Sequence, residues 1–164
     1  MANKIYINEE TQLVWAASGG DFTLDLGTSG GDAGGVRVGA RGDLGAAARS
    51  EWYEWRMLID GFDTAPVVGE NVDIYIATSD GTVEDGEVGT ADADGATTDL
   101  PNLTFLRSAT VQTTTAGNNL QVSGIVRIVA RYVSPVIHNN TADKLLSTAD
   151  AHQFLLTPVP PEVQ

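Results

Sequence analysis

The strongest regularity along this chain is a period of two. In "EWYEWRMLID", Tyr53, Trp55, Met57 and Ile59 alternate with Glu54, Arg56 and Leu58, so an extended backbone turns one aromatic and aliphatic face inward. Trp52 falls on the opposite face. "NVDIYIATSDG" repeats the pattern with Val72, Ile74 and Ile76 and stops at an Asp-Gly turn signal. In "LQVSGIVRIVARYV", Val122, Val126, Ile128 and Ala130 alternate with Ser123, Arg127 and Arg131, which predicts one long strand bent at Gly124. Arg131 then points outward and Tyr132 inward, Pro135 marks an edge or a bulge, and Asn139-Asn140 suit a turn.

Weaker strands are predicted over 4–8, 12–16, 22–26, 36–40, 103–111, 133–138 and 153–157. About ten short strands separated by Gly, Asp and Thr clusters describe an all-β chain, a sandwich or a barrel, rather than alternating βαβ units. Helix is confined to one turn over 46–49.

Two polar segments interrupt the strands. The first, from Gly19 to Gly45, holds ten of the eighteen glycines and reads as short strands joined by tight connections. The second, Thr78 to Pro101, carries seven carboxylates and no base, the composition of a long solvated loop. Its carboxylates have no basic residue near in sequence to pair with, so the loop is expected to face solvent. The ending "TPVPPEVQ" is pre-extended by its prolines. These features divide 164 residues into one domain over 1–157 and a tail over 158–164.

Charge narrows the partners. Twenty-two acidic residues against nine basic ones give −13, and Met57 to Leu106 contains eleven carboxylates without a Lys or Arg. Such a surface repels phosphate backbones, so nucleic acid is not an expected partner. No apolar run reaches the roughly 18 residues of a membrane span, and "MANKIYINEE" lacks the apolar core of a secretory leader. With no cysteine, thiolate chemistry and disulfides are excluded.

Site motifs are sparse. "DADG" places Asp92 and Asp94 at alternate positions and makes them weak Ca²⁺ candidates, but the surrounding register puts Thr90 and Pro101 where a calcium loop needs carboxylates. The glycine runs between Gly27 and Gly35 lack the Lys and following helix of a phosphate loop. "RGD", Arg41 to Asp43, and the acceptor-like "NLT" at Asn102 and "NNT" at Asn139 are too short to carry a function by themselves. His138 and His152 are the only histidines, and neither sits in a nucleophile motif. Trp15, Trp52, Trp55 and Tyr75 could line a sugar-binding face, although strand aromatics more often fill cores. No catalytic residue and no cofactor is expected. The extended ends supply candidates for partner contact: Ala2, Lys4 and Tyr6, able to add a strand to an adjacent edge, and Pro158, Pro160, Pro161 and Val163.

The order of these elements carries a resemblance. Asp43-Leu44-Gly45, Tyr53 with Arg56, Val72 to Ala77, Ala91-Asp92, Arg131-Tyr132 followed by Asn139, and His152 before the proline-rich end resemble small β-rich virion proteins of tailed bacteriophages. Those are the capsid decoration, or cement, proteins encoded near the major capsid protein. The resemblance implies an antiparallel, jelly-roll-like β-sandwich made in the host cytoplasm. It also implies a non-enzymatic role on the capsid exterior, as a homo-oligomer that contacts the major capsid protein and bridges capsomers. The alternative reading is a carbohydrate-binding or adhesion module on the virion surface.

Overall fold

A computed structural model describes residues 11–16, 32–46, 49–85, 91–146 and 152–159. The chain is an all-β, antiparallel two-sheet sandwich. Its strands are β1 (Leu13–Ala16), β2 (Val36–Val38), β3 (Gly42–Asp43), β4 (Trp52–Ile59), β5 (Asn71–Ser79), β6 (Ala93–Asp94), β7 (Thr104–Thr110), β8 (Leu120–Arg127), β9 (Tyr132–Asn140) and β10 (His152–Pro158). Among the described residues one sheet has four strands in the order β1-β10-β4-β8, and the other has six, in the order β6-β2-β9-β5-β7 with β3 also on β9. The expected strands over 4–8 and 22–26 lie outside the described residues, as do Ala47 and Ala48 of the expected helical turn.

The period-two faces meet in the middle. Tyr53, Trp55, Met57 and Ile59 of β4 pack with Phe154 and Leu156 of β10 against Val72, Ile74 and Ile76 of β5 and Val133 and Ile137 of β9. Phe154 lies between two tryptophans, stacked with Trp55 at 6.2 Å and edge-on to Trp15 at 5.8 Å. Each such aromatic buries roughly 150–250 Å², so this trio makes a large part of the hydrophobic term that holds the sheets together.

Three expectations about strands are corrected. "LQVSGIVRIVARYV" is not one strand: β8 ends at Arg127, the chain turns, and β9 begins at Tyr132 in the other sheet. Gly124 does not bend β8, whose register with β4 runs unbroken from Trp52↔Arg127 to Ile59↔Leu120. A Cβ at Gly124 would lie 2.9 Å from Trp55 Nε1, so the glycine makes room for the indole. Pro135 sits within the six-stranded sheet, between β5 and the gap that separates β2 from β3. Its missing N–H falls where the neighbouring strand is interrupted, and its carbonyl still accepts from Gly39 N–H at 2.8 Å.

Pro158, expected to begin the tail, instead closes β10 opposite Tyr53. β1 pairs β10 only as far as Leu156, so the proline needs no donor toward that side.

Candidate functional site

The two outer faces of the sandwich differ. On the six-stranded sheet, Val36, Val38, Ala77 and Val136 form a second apolar cluster. Leu100 and Leu103, beside the short 3₁₀ turn Leu100–Asn102, close over it. Tyr132 packs against this outer cluster and not in the inner core, because it alternates with the inward Val133. Arg41 and Arg131 lie 4.6 and 4.8 Å from its ring centre.

The acidic segment contributes Leu100 to this cover, while most of its described residues, Asp80, Glu84 and Asp94 among them, are exposed as expected. β6 adds Ala93–Asp94 to the edge of β2, and the Arg37 guanidinium takes Asp92 through two bonds of 2.8 and 2.7 Å and Asp94 through one of 2.7 Å. Burial pulls the Arg37 pKa down, but the hydrogen bonds to Asp92 and Asp94 outweigh it and hold the guanidinium above its ordinary value. The two carboxylates singled out for Ca²⁺ are therefore arginine ligands. Among the described residues no group of three His, Asp or Glu side chains could hold a metal ion.

The outer face of the four-stranded sheet has no such cover among the described residues. It presents Trp52, Glu54, Arg56 and Leu58 of β4, Gln121, Ser123, Ile125 and Arg127 of β8, Gln153, Leu155 and Thr157 of β10, and Val14 of β1. Trp52 stands opposite Arg127 and Ile125 opposite Glu54, so Trp52 and Ile125 are diagonal neighbours on one face. They are 51 % and 67 % exposed. Val159 leaves β10 beside them, its N–H bonded to Trp52 O at 2.8 Å, and the Ser50 hydroxyl lies 2.7 Å from Val159 O and 2.8 Å from Trp52 O. Exposed Val129, on the turn between β8 and β9, lies toward the same end.

The scarce basic residues gather at this end. Arg49 donates to the carbonyls of Val129 and Ala130, Arg127 pairs with Glu51 at 2.6 Å, and Arg131 pairs with Asp43 at 2.7 Å. The bond from Arg131, reinforced by the Gly45 N–H, lowers the Asp43 pKa from 3.8 to about 2 against a weaker desolvation effect. The same Asp43 carboxylate raises Arg131 above its ordinary value. Charges here are mutually neutralised, in contrast with the uncompensated acid elsewhere.

The remaining sequence candidates are dispersed. Trp15 and Trp55 are core residues and Tyr75 lies on the other sheet against Phe105, so of the four aromatics only Trp52 faces out from the four-stranded sheet. "RGD" is not a free loop tip: Gly42 packs under Trp15, Arg41 covers Tyr132 and Asp43 holds Arg131. Asn139 is fully buried, donating to Asp32 O and Asp143 O and accepting from Thr141, which leaves no room for a glycan. Asn102 is exposed. His152 is buried, its Nδ1 accepting from Asp60 N–H and its Nε2 at 3.0 Å from Leu146 O, a structural arrangement. His138 is half-buried between Asp73 and Val36 in the register of its sheet. Ala2, Lys4, Tyr6, Pro160, Pro161 and Val163 lie outside the described residues.

Ile125 was missed, although a signal existed: it shares strand parity with the polar Ser123 and Arg127. Arg37 carried no signal, since its partners are 55 and 57 residues away.

No family model and no curated protein matches the chain. Solved structures that it partly resembles include the sugar-binding C-terminal domain of EclA, at 11 % identity over 94 % of this chain and 81 % of that one, with a TM-score of 0.31. Another is the K2 cleaved adhesin domain of Lys-gingipain, at 14 % identity over 99 % and 95 %, with a TM-score of 0.26. Overlap this low does not define a shared fold, and the functional reading rests on the chain's own residues.

Proposed function

We infer that this chain is a non-enzymatic structural protein of a tailed-phage particle, binding the outer capsid surface and bridging capsomers. The reading starts from the family resemblance in the order of its sequence elements. The observation that carries it further is the asymmetry of the sandwich: one outer face is partly covered by Leu100 and Leu103, while among the described residues nothing covers the other. The uncovered face gathers Trp52, Ile125, Val129 and Val159 at the end where the chain's charges are neutralised.

That end has the composition of a docking surface. Specific interfaces bury about 800 Å² per partner and concentrate their energy in a few residues, Trp and Arg foremost. Charge neutralisation within the end lowers the cost of removing it from water, and the acidic remainder keeps the exposed side soluble and repels non-specific contacts. The major capsid protein is the proposed partner, with further copies of this chain alongside.

Electron microscopy of particles assembled without the protein and then mixed with it tests this reading. Ordered density on the outer surface, with the Trp52 end toward the shell, is the expected result. Bare particles after incubation at micromolar protein would reject it.

A further inference from the structure

Among the described residues each arginine but one is engaged within the chain, by carboxylates, carbonyls or the Tyr132 ring. The exception is Arg107 of β7. It lines a groove of about 650 Å³ shared by β7 of the six-stranded sheet and the Leu58 end of β4 with the adjoining parts of β8 and β10, away from Trp52. Arg56 lines it too, together with the amides of Gln112, Gln121 and Gln153. None of these three amides is spent on a bond to the described residues.

We propose that this groove binds a saccharide bearing a carboxylate, of the uronic or sialic acid type. A free guanidinium takes a carboxylate through two parallel hydrogen bonds, with geometric selectivity as well as strength. Each glutamine amide offers both a donor and an acceptor, the combination that vicinal hydroxyls demand. Leu155 supplies an apolar contact for the C–H face of a sugar ring. The volume lies within the roughly 300–1,000 Å³ of small-ligand sites.

Other anions fit less well. A polyphosphate or nucleic acid needs several unpaired cations, and this chain carries −13 with a single unengaged arginine among the described residues. An acidic peptide could use Arg107, but the mostly polar lining offers little to anchor an apolar side chain. The site goes beyond capsid docking: it lies toward the opposite end of β4 from Trp52, and none of Trp52, Ile125, Val129 and Val159 lines it.

The test is binding of the full chain to an array of uronate-bearing, sialylated and neutral oligosaccharides, followed by calorimetric titration of the best ligand. Retention of carboxylate-bearing saccharides over neutral ones is expected, with at least tenfold weakening in Arg107→Gln and in Gln121→Ala/Gln153→Ala, and unchanged affinity in Trp52→Ala. Circular dichroism verifies that each variant is folded. Absence of binding to any carboxylate-bearing saccharide would overturn the proposal. So would binding indifferent to Arg107→Gln, or a glutamate-rich peptide bound in the groove where saccharides are not.

Discussion

Arg37 and Asp92, 55 residues apart, meet through two parallel hydrogen bonds with only 8 % and 6 % of their side chains exposed. This pair fastens the acidic segment to β2 and so helps seal the outer face of the six-stranded sheet. A charge left buried without its partner is far worse than no charge at all. Arg37→Met should therefore destabilise the fold by about 3–5 kcal/mol, whereas Arg37→Met/Asp92→Leu should recover much of that loss. Urea denaturation of the two variants beside the parent chain measures the difference.

Gly124 is a packing glycine. An added methyl would press on the buried Trp55 indole from 2.9 Å, so Gly124→Ala should destabilise by about 1–3 kcal/mol. Gly117, with open space around it, provides the control: Gly117→Ala should shift stability by no more than about 0.5 kcal/mol. Thermal melts of both variants decide the point.

Asp43 gives a pH signature. Its pKa is lowered from 3.8 to about 2, so its pairing with Arg131 contributes stability that is complete above about pH 4 and is lost as pH falls through about 2. Both side chains are partly exposed, and solvent screening keeps the contribution small. A carboxyl-detected NMR titration should place the Asp43 midpoint near 2, and Arg131→Gln should return it toward 3.8. An unchanged midpoint in that variant would mean that Arg131 is not the cause.

The legibility of this fold followed the range of its interactions. Alternation in β4 and β5 is a local property, so Tyr53 to Ile59 and Val72 to Ile76 were readable before any tertiary contact was known. The break between β8 and β9 was not, because Ile128 and Ala130 continue the alternation through a turn whose shape depends on Arg49 bonding Val129 and Ala130 from 80 and 81 residues away. The anchor of the acidic segment was hidden for the same reason: nothing near Asp92 in sequence announces Arg37. Asn139 looked like a turn residue or a glycan acceptor, and burial made it instead the hub that ties β9 to Asp32 and Asp143. The face proposed for docking was half legible. Trp52 was placed outward by parity alone, but the approach of Val159 to it required knowing that β10 lies beside β4.

The face assignment makes a paired prediction about surface changes. Val83, exposed on the turn after β5, is not part of the uncovered sheet. Val83→Asp should leave partner binding within about twofold of the parent, since exposed positions away from a contact shift free energies by no more than about 0.5 kcal/mol. Ile125→Asp, which puts a charge among Trp52 and its neighbours, should weaken binding at least tenfold with little effect on the melting temperature.

The most direct measurement is co-sedimentation of the purified chain with capsids assembled in its absence, for the parent, Trp52→Ala and Val83→Asp. The account predicts saturable pelleting of the parent and Val83→Asp and loss of pelleting in Trp52→Ala, with all three equally folded. A parent chain that stays in the supernatant, or a Trp52→Ala variant that pellets like the parent, would contradict it.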